Sequence, residues 1–104
     1  MFLDGGATGM PYHVYIMSNR PNGTIYIGVT SDLIRRVYQH RTNAVPGFTS
    51  RYSLKRLIYF EEHTTIAYAI QREKTLKHWV RAWKVELIEN QNPQWNDLFD
   101  EIAS

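Results

Sequence analysis

Two short segments near the start of the chain constrain the fold most strongly, because together they predict a β-hairpin. Residues 12–17 and 24–29 are dominated by β-branched and aromatic side chains, which favour extended strands. Between them lie Pro21, Asn22 and Gly23. Proline fixes φ, and the Asn-Gly pair readily adopts positive φ, so this stretch favours a turn. The sequence therefore predicts two antiparallel strands joined by a short connection.

Alternation along the two predicted strands sorts their side chains between the two faces of a sheet. In each strand an apolar set of aliphatic residues stands at every second position, and these sets include Ile16 and Ile27. Tyr15 and Tyr26 stand one position away from them and so point to the opposite face. If the apolar sets face one core, both tyrosines lie together on the other side of the sheet. We therefore expect the two phenols to be neighbours.

The remainder of the chain predicts helices around a third strand. The predicted elements are, in order, a helix capped by Thr30 or Ser31 and ending near residue 41, a loop over 43–52, a strand over 54–61, a helix capped by Thr64 or Thr65 and ending near residue 79, its continuation after a bend to residue 89, and a short helix over 95–102. This order predicts an α/β (α+β) fold in which helices flank a small three-stranded antiparallel sheet. Residues 1–10 contain three glycines and predict a flexible tail, and residues 11–104 predict a single domain.

Helical periodicity assigns faces to the side chains of the two longest predicted helices. In the first helix, Arg36 and His40 point the same way, four residues apart. Its expected buried stripe consists of Leu33, Ile34, Val37 and Tyr38. In the second helix, Glu73 falls inside the expected apolar stripe of Ile66, Ala69, Ile70, Leu76 and Val80. A carboxylate there is costly unless it is paired or bound to a cation.

Composition excludes several classes of protein. The chain has no cysteine, which rules out disulfides, thiolate catalysis and cysteine-ligated metal centres, and its four histidines lack metal-site spacing. No apolar run is long enough to span a membrane, and residues 1–10 show no secretory signal, so we expect a cytoplasmic protein. The net charge is only +2, but seven Lys/Arg residues lie between Arg20 and Arg56 against one acid, Asp32. This uneven charge favours one face that meets phosphates, with an idle solvated surface as the alternative.

Each candidate residue has a structural and a functional interpretation. Glu73 is either bonded to a buried tyrosine or arginine, or it is a ligand for Mg²⁺, which one or two carboxylates usually hold. Tyr15 and Tyr26 are either packed strand aromatics or catalytic phenols, and a tyrosine acts as a base only if nearby cations or a metal lower its pKa. Arg36 is either an exposed helix arginine or, across the same cleft, the residue that supplies that charge and binds phosphate, which this combination of residues favours. His40 is either a surface histidine or a second phosphate contact or proton shuttle.

The order and spacing of these residues resemble the GIY-YIG nuclease superfamily. His13-Val14-Tyr15 and Tyr26-Ile27-Gly28 match its two tripeptides, with Arg36, His40 and Glu73 following at matching positions. The segments 26–36, 72–74 and 92–98 are similar to small single-domain members akin to the nuclease module of the excinuclease C subunit. The resemblance spans roughly residues 12–100. One departure is His13, which stands where the family has glycine.

The resemblance implies a metal-dependent endonuclease that hydrolyses DNA phosphodiester bonds, with a role in DNA repair or recombination and with RNA as another possible substrate. The catalytic residues would be Tyr15 as general base, Tyr26, Arg36, His40 and Glu73, with Glu73 holding Mg²⁺ or Mn²⁺. His13, Gly28 and Arg35 would contact substrate, Gly28 by allowing close approach to its strand.

Larger relatives choose targets with an attached DNA-binding domain, so a targeting protein partner is a further expectation. Two alternatives remain open at this point. One is a non-catalytic nucleic-acid-binding module that retains the nuclease shape. The other is a protein-interaction domain that uses its tryptophans, although Trp79, Trp83 and Trp95 are expected to be core residues.

Overall fold

The computed structural model describes residues 11–44 and 46–103, so the predicted tail at residues 1–10 lies outside the described residues. The elements follow the chain as three strands and five helices. They are β1 (Tyr12–Ser18), β2 (Ile25–Thr30), α1 (Leu33–Arg41), α2 (Phe48–Arg51), β3 (Arg56–His63), α3 (Ile66–His78), α4 (Arg81–Gln91) and α5 (Phe99–Ala103).

The three strands form one antiparallel sheet in the order β2-β1-β3. This confirms the predicted hairpin and the predicted fold class of a three-stranded antiparallel sheet flanked by helices. Tyr15 on the central strand lies opposite Gly28 on one side and Phe60 on the other. A register shift next to Ile16 leaves Ile58 as the extra residue of a bulge on β3, and its carbonyl accepts a hydrogen bond from the buried Asn92 side chain at 2.9 Å.

Both faces of the sheet are covered, which creates two hydrophobic cores. The first core lies on the sheet face opposite Tyr15, where apolar strand residues pack against α3, α4 and Trp95. Its buried members include Val14, Ile16, Ile27, Ala69, Leu76 and Ile88. The second joins the tyrosine face of the sheet to α1 and the start of β3; it consists of Tyr15, Met17, Leu33, Val37, Leu54 and Leu57. The face that carries Tyr15 is therefore a packed interior and not an open surface.

The N-cap of α1 differs from the prediction. Asp32, and not Thr30 or Ser31, caps this helix, and its carboxylate accepts a hydrogen bond from the Arg35 N–H at 3.2 Å. The Thr30 hydroxyl accepts instead from the Asp32 N–H at 3.0 Å, so it orders the turn before the helix. Aspartate is as good an N-cap as serine, so propensity alone did not separate these positions.

Two predicted buried stripes were partly wrong. In α1, Ile34 and Tyr38 are exposed, whereas His40 joins Leu33 and Val37 in the buried stripe. In α3 and just beyond it, Ile66, Ile70 and Val80 are exposed, and the buried residues are Ala69 and Leu76. In both helices the stripe that packs against the sheet is narrower than the run of apolar residues indicates.

The predicted bend between the two long helical segments is a complete break. Trp79 and Val80 have extended backbone angles, so α3 ends at His78 and α4 begins at Arg81. Trp95 is buried, as expected of a core residue, and Trp79 is half-buried. Trp83, which was also expected in the core, is exposed, and the break means that it does not share one continuous helix with Trp79. None of the helices within the described ranges is both long and apolar enough to cross a bilayer.

The segment before α5 is fixed to β3 by side-chain and backbone hydrogen bonds, and not by helical hydrogen bonds. Asp97 accepts hydrogen bonds from the Leu57 and Phe99 N–H groups, and the Leu98 N–H donates to the Leu57 carbonyl at 2.7 Å. Trp95 has a positive φ of 58°. These bonds replace the first half of the predicted 95–102 helix, which begins only at Phe99.

Candidate active site

Tyr15 lies across the neighbouring strand in the space left by Gly28. A Cβ placed on Gly28 would lie 2.6 Å from the Tyr15 hydroxyl, well inside van der Waals contact. The expected close approach at Gly28 is thus made by the phenol of Tyr15. Tyr26, two residues from Gly28 on the same strand, projects to the same face, and the two tyrosine rings lie 6.3 Å apart.

A buried chain of hydrogen bonds runs from Tyr15 to α2. The Tyr15 hydroxyl and His40 Nε2 are 2.9 Å apart, and His40 Nδ1 is 2.8 Å from the Thr49 hydroxyl. His40 is therefore not a surface histidine, since only 5% of it is exposed. Both ring nitrogens have partners, which fixes the orientation of the imidazole.

The local environment favours neutral forms of Tyr15 and His40. Burial raises the pKa of the Tyr15 phenol, and Tyr26 and then Glu73 raise it further, while Arg36 opposes the shift. Arg36 thus lowers the pKa of Tyr15, as expected of a nearby cation. The effect of burial is larger, so the net pKa of Tyr15 is raised. Burial also lowers the pKa of His40, with Arg36 adding to the effect, so the imidazole is neutral at pH 7.

The predicted cationic pair sits on the exposed side of α1. Arg36 is half-buried and Arg35 is exposed, and both line a cleft of about 250 Å³ together with Thr30, Ser31, Asp32 and Gln39. Within the described part of the chain, Arg36 has no carboxylate within ion-pair distance. From this position its guanidinium charge opposes the rise in the pKa of Tyr15 and adds to the lowering of the pKa of His40.

Glu73 comes from the helix on the other face of the sheet. Its side chain is 16% exposed and pairs with Lys77, one turn later, at 3.2 Å. Lys77 Nζ in turn lies 6.0 Å from the centre of the Tyr26 ring, so this end of α3 reaches the tyrosine cluster at the β2 edge. The Glu73 charge adds to the raised pKa of Tyr15, after the larger effects of burial and Tyr26.

The residue before Glu73 anchors this part of α3. Arg72 donates two hydrogen bonds to Glu61 on β3, at 2.9 and 3.3 Å, and its guanidinium lies over the Trp79 ring. Burial alone would raise the pKa of Glu61, but hydrogen bonds from Arg72, Tyr59 and His63 hold it below its ordinary value. This ion pair ties α3 to β3 at the residue next to Glu73.

His13 shares the face of Tyr15 but lies one pleat further toward the start of the strand. Its Nε2 is 3.8 Å from Glu62, its ring packs edge-on against Phe60, and burial lowers its pKa. His13 Nδ1 is buried and finds no partner among the described residues. The imidazole that replaces glycine in the first tripeptide lies beside the site. Its contacts within the described residues are with Glu62 and Phe60, and not with Tyr15.

The donor set fits a metal only if a substrate completes it. Across residues 11–44 and 46–103, no group of three His, Cys, Asp or Glu side chains is arranged to hold an ion. Glu73 offers a single carboxylate that is partly open to solvent. Mg²⁺ is commonly held by one or two carboxylates together with phosphate and water, so this residue suits a site that forms with bound nucleic acid.

Several neighbours of the site were not identified from the sequence. Thr49 lies in a segment predicted as a loop, and its bond to His40 depends on tertiary folding. Lys77 was detectable, because it stands four residues after Glu73 on the same helix. Phe48 and Tyr52, also in that loop, extend the aromatic cluster from Tyr26, with Phe48 6.2 Å from Tyr26 and 4.7 Å from Tyr52.

Comparison with known proteins matches this geometry to a family. The family model described as the GIY-YIG catalytic domain matches residues 11–86. The chain is 30% identical over 78 residues to the UPF0213 protein HQ_3675A of Haloquadratum walsbyi, covering 75% of this chain and 88% of that protein. It has the same identity to the UPF0213 protein SERP0126 of Staphylococcus epidermidis, of which the match covers 94%.

A solved structure is similar in fold as well as in sequence. The solution NMR structure of the UPF0213 protein BH0048 from Bacillus halodurans aligns with a TM-score of 0.53 at 25% identity. The alignment covers 85% of this chain and 93% of that one. The resemblance to small GIY-YIG proteins is therefore confirmed.

Proposed function

This chain belongs to the GIY-YIG catalytic-domain family, and we propose that it is a metal-dependent endonuclease that hydrolyses phosphodiester bonds in DNA. The observation that carries the proposal is the hydrogen bond between Tyr15 and His40, formed where the charges of Arg36 and Glu73 both act on the phenol. A packed strand tyrosine needs only one hydrogen-bond partner. It does not need a cation and a carboxylate brought to it from two helices on opposite faces of the sheet.

The neutral state of His40 supports a two-step proton path. With Nδ1–H donating to Thr49, Nε2 accepts the proton of the Tyr15 hydroxyl. As water attacks the phosphorus, the Tyr15 oxygen takes a proton from the water while its own proton passes to His40 Nε2. Tyr15 remains neutral throughout, so its raised pKa does not prevent it from acting as the base.

Arg36 suits the role of neutralising the phosphate. It has no carboxylate partner in the described ranges and borders an open cleft, so its guanidinium is available to two phosphate oxygens at once. Arg35, exposed in the same cleft, is suited to the neighbouring phosphate of the strand. Tyr26 would hold the substrate against the Tyr15 phenol.

Glu73 is the residue that would hold Mg²⁺ or Mn²⁺. A divalent cation bound there supplies positive charge that stabilises the leaving oxygen. Lys77 supplies a smaller positive charge at the same carboxylate, and it must move aside when the cation binds.

The test is cleavage of supercoiled plasmid and of branched DNA with and without Mg²⁺. Arg36→Ala and Glu73→Gln are each expected to reduce the rate at least about a hundredfold. Arg20→Ala, at an exposed arginine in the β1–β2 turn, is the matched control and should cut like the unmodified protein. Equal cleavage by all the variants would identify a contaminating nuclease and end the proposal.

A non-catalytic nucleic-acid-binding module is the second candidate. Two observations favour it: Glu73 is engaged by Lys77, and an imidazole replaces the glycine of the first tripeptide. This candidate predicts salt-dependent DNA binding with no turnover at any Mg²⁺ or Mn²⁺ concentration.

We place either activity in DNA repair or recombination, because the chain is similar to the nuclease module of the excinuclease C subunit. A targeting protein partner would then select the site.

A further inference from the structure

We infer that Phe48 and Tyr52 form a stacking platform for an unpaired nucleobase next to the cleavage site. The inference rests on the proposed function and specifies its substrate as a single strand or a junction with unpaired nucleotides. The platform consists of these two residues alone.

The platform is exposed and continuous with the tyrosine cluster. Phe48 and Tyr52 are 47% and 45% exposed, and their ring centres are 4.7 Å apart. Phe48 also stacks on Tyr26 with an interplanar angle of 29°, and Tyr26 lies 6.3 Å from Tyr15. A row of four rings thus leads from the buried phenol to solvent. Half of the apolar surface at its outer end has no protein partner in the described structure.

The platform is held rigidly to the residues of the proton path. Phe48, Thr49 and Tyr52 belong to one helical turn, and the Tyr52 N–H donates to the Phe48 carbonyl at 3.1 Å. The inner side of this turn carries Thr49, bonded to His40 at 2.8 Å, and the Thr49 carbonyl accepts from the N–H of the buried Leu54. A base on the outer rings would therefore have a fixed position relative to the Tyr15–His40 pair.

The charge around the platform suits a phosphate backbone. Between Asp32 and Glu61 the chain has no acidic residue. Of the six basic residues in this interval, Arg41 is paired with Asp97 and Arg56 donates a hydrogen bond to the Trp95 carbonyl. The other four have no carboxylate within ion-pair distance in the described ranges; they are Arg35, Arg36, Arg51 and Lys55. Arg51 is exposed on the same turn as the two rings, and Lys77 lies by the Tyr26 ring. Exposed aromatic rings framed by cations are the combination that single-stranded nucleic acids require, since each base stacks while its phosphate is neutralised.

A duplex does not satisfy this surface. Paired bases keep their faces stacked on one another, so they cannot cover the rings of Phe48 and Tyr52. Inside a continuous duplex both faces of every base are covered, so only an unpaired nucleotide or the last pair of a duplex end offers a free face. The platform therefore favours single strands, flaps and junctions over continuous duplex.

The experiment measures binding without cleavage. Glu73→Gln protein in EDTA is titrated with a short DNA single strand carrying 2-aminopurine and, separately, with a labelled, covalently closed circular duplex, which has neither ends nor an unpaired loop. Binding is followed by anisotropy and by 2-aminopurine quenching. Phe48→Ala/Tyr52→Ala should raise the Kd for the single strand at least about tenfold and abolish quenching. The duplex Kd should change less than about twofold.

Two further variants keep the test decisive. Phe48→Leu/Tyr52→Leu retains apolar volume but removes the flat ring faces, so it should also weaken single-strand binding if the alanine variant does not fold. Tyr68→Ala removes a tyrosine that is 70% exposed and has no ring neighbour in the described structure; it should bind like the parent. Unchanged single-strand binding in the leucine variant, or equal losses for single strand and duplex, would overturn the inference.

The outcome for the platform is separate from the outcome for the nuclease. Platform-dependent binding by a protein that never cuts with Mg²⁺ would remove the proposed activity and leave the binding site. Cleavage that is lost in Arg36→Ala but unchanged in the leucine variant, on single strands and duplex alike, would support the proposed activity and remove the platform.

Discussion

The phenol of Tyr15 occupies the volume that any side chain at position 28 would need. The two residues are direct cross-strand partners, and a Cβ at Gly28 would lie 2.6 Å from the hydroxyl and 2.7 Å from Cζ. Glycine in the second tripeptide is therefore required by the first tripeptide, since it lets the Tyr15 ring cross β2 and reach His40.

Gly28→Ala is expected to displace Tyr15 and break its bond to His40. Overpacking of this kind costs about 1–3 kcal/mol, so the protein should still fold while the cleavage rate falls at least about tenfold. Thermal unfolding and plasmid nicking measured together check this. Val29→Ala, on the opposite face of the same strand, is the control and should leave nicking unchanged. Normal nicking by Gly28→Ala would show that the position of Tyr15 is not critical.

The pH dependence of stability should report on His40. Because burial and Arg36 lower its pKa in the folded state, the unfolded chain binds the proton more readily. The free energy of unfolding is thus unaffected above pH 6.5 and falls as the pH drops below it, toward the folded pKa. His13, also with a pKa lowered by burial, contributes in the same direction.

His40→Gln removes the titration and keeps a side chain that forms neutral hydrogen bonds. Urea unfolding at several pH values between 4.5 and 7.5, about two units below and one above the ordinary pKa of histidine, should show a shallower loss of stability than in the parent. Asn90→Gln, at an exposed and uncharged position of α4, is the control and should keep the parental slope. An unchanged slope in His40→Gln would mean that the folded protein protonates this imidazole freely.

The fold was predictable where local signals were strong. The hairpin at Asn22-Gly23 and the Thr65 cap of α3 follow from turn and capping chemistry, which depends on a few adjacent residues. The break at Trp79 and Val80 has no proline or glycine to mark it. The burial of Ile34, Ile66 and Trp83 was predicted wrongly, because it depends on how each helix lies against the sheet.

The candidate site shows the same division. Tyr15 and Tyr26 were expected on one face from their alternation, and the structure brings their rings together. That this face is a second core was not foreseen, although it decides the pKa of Tyr15. The partnership of His40 with Thr49 joins two segments through tertiary contacts alone, and a single sequence gives no pattern for such a pair.

The Asn92 side chain should contribute strongly to stability, because it links the C-terminal segment to β3. Its buried side chain donates to the Ile58 and Asn96 carbonyls and accepts from the Asn96 N–H, so one side chain satisfies a bulge and a loop. Asn92→Ala leaves these groups unpaired and should cost about 1–3 kcal/mol, lowering Tm by roughly 5–20 °C. Calorimetry checks this, with the exposed Asn90→Ala as control. A change as small as that of the control would contradict the role.

Lys77 should compete with a divalent cation for Glu73. Exposed pairs at i, i+4 contribute only about 0.3–0.5 kcal/mol. The Lys77 side chain is 48% exposed and Glu73 is partly open to solvent, so the lysine can leave the carboxylate when a cation displaces it. Lys77→Met removes both this competition and the repulsion between the ammonium group and the metal. We expect Mn²⁺ to bind about two- to fivefold more tightly to that variant, measured by the electron paramagnetic resonance of free Mn²⁺ with a non-cleaved oligonucleotide present.

Lys74→Met is the matched control. It removes the same charge from the same helix at a residue that does not pair with Glu73, so Mn²⁺ affinity should stay near the parental value. Glu73→Gln should abolish the binding, and Mn²⁺ retention by that variant would place the cation on other ligands.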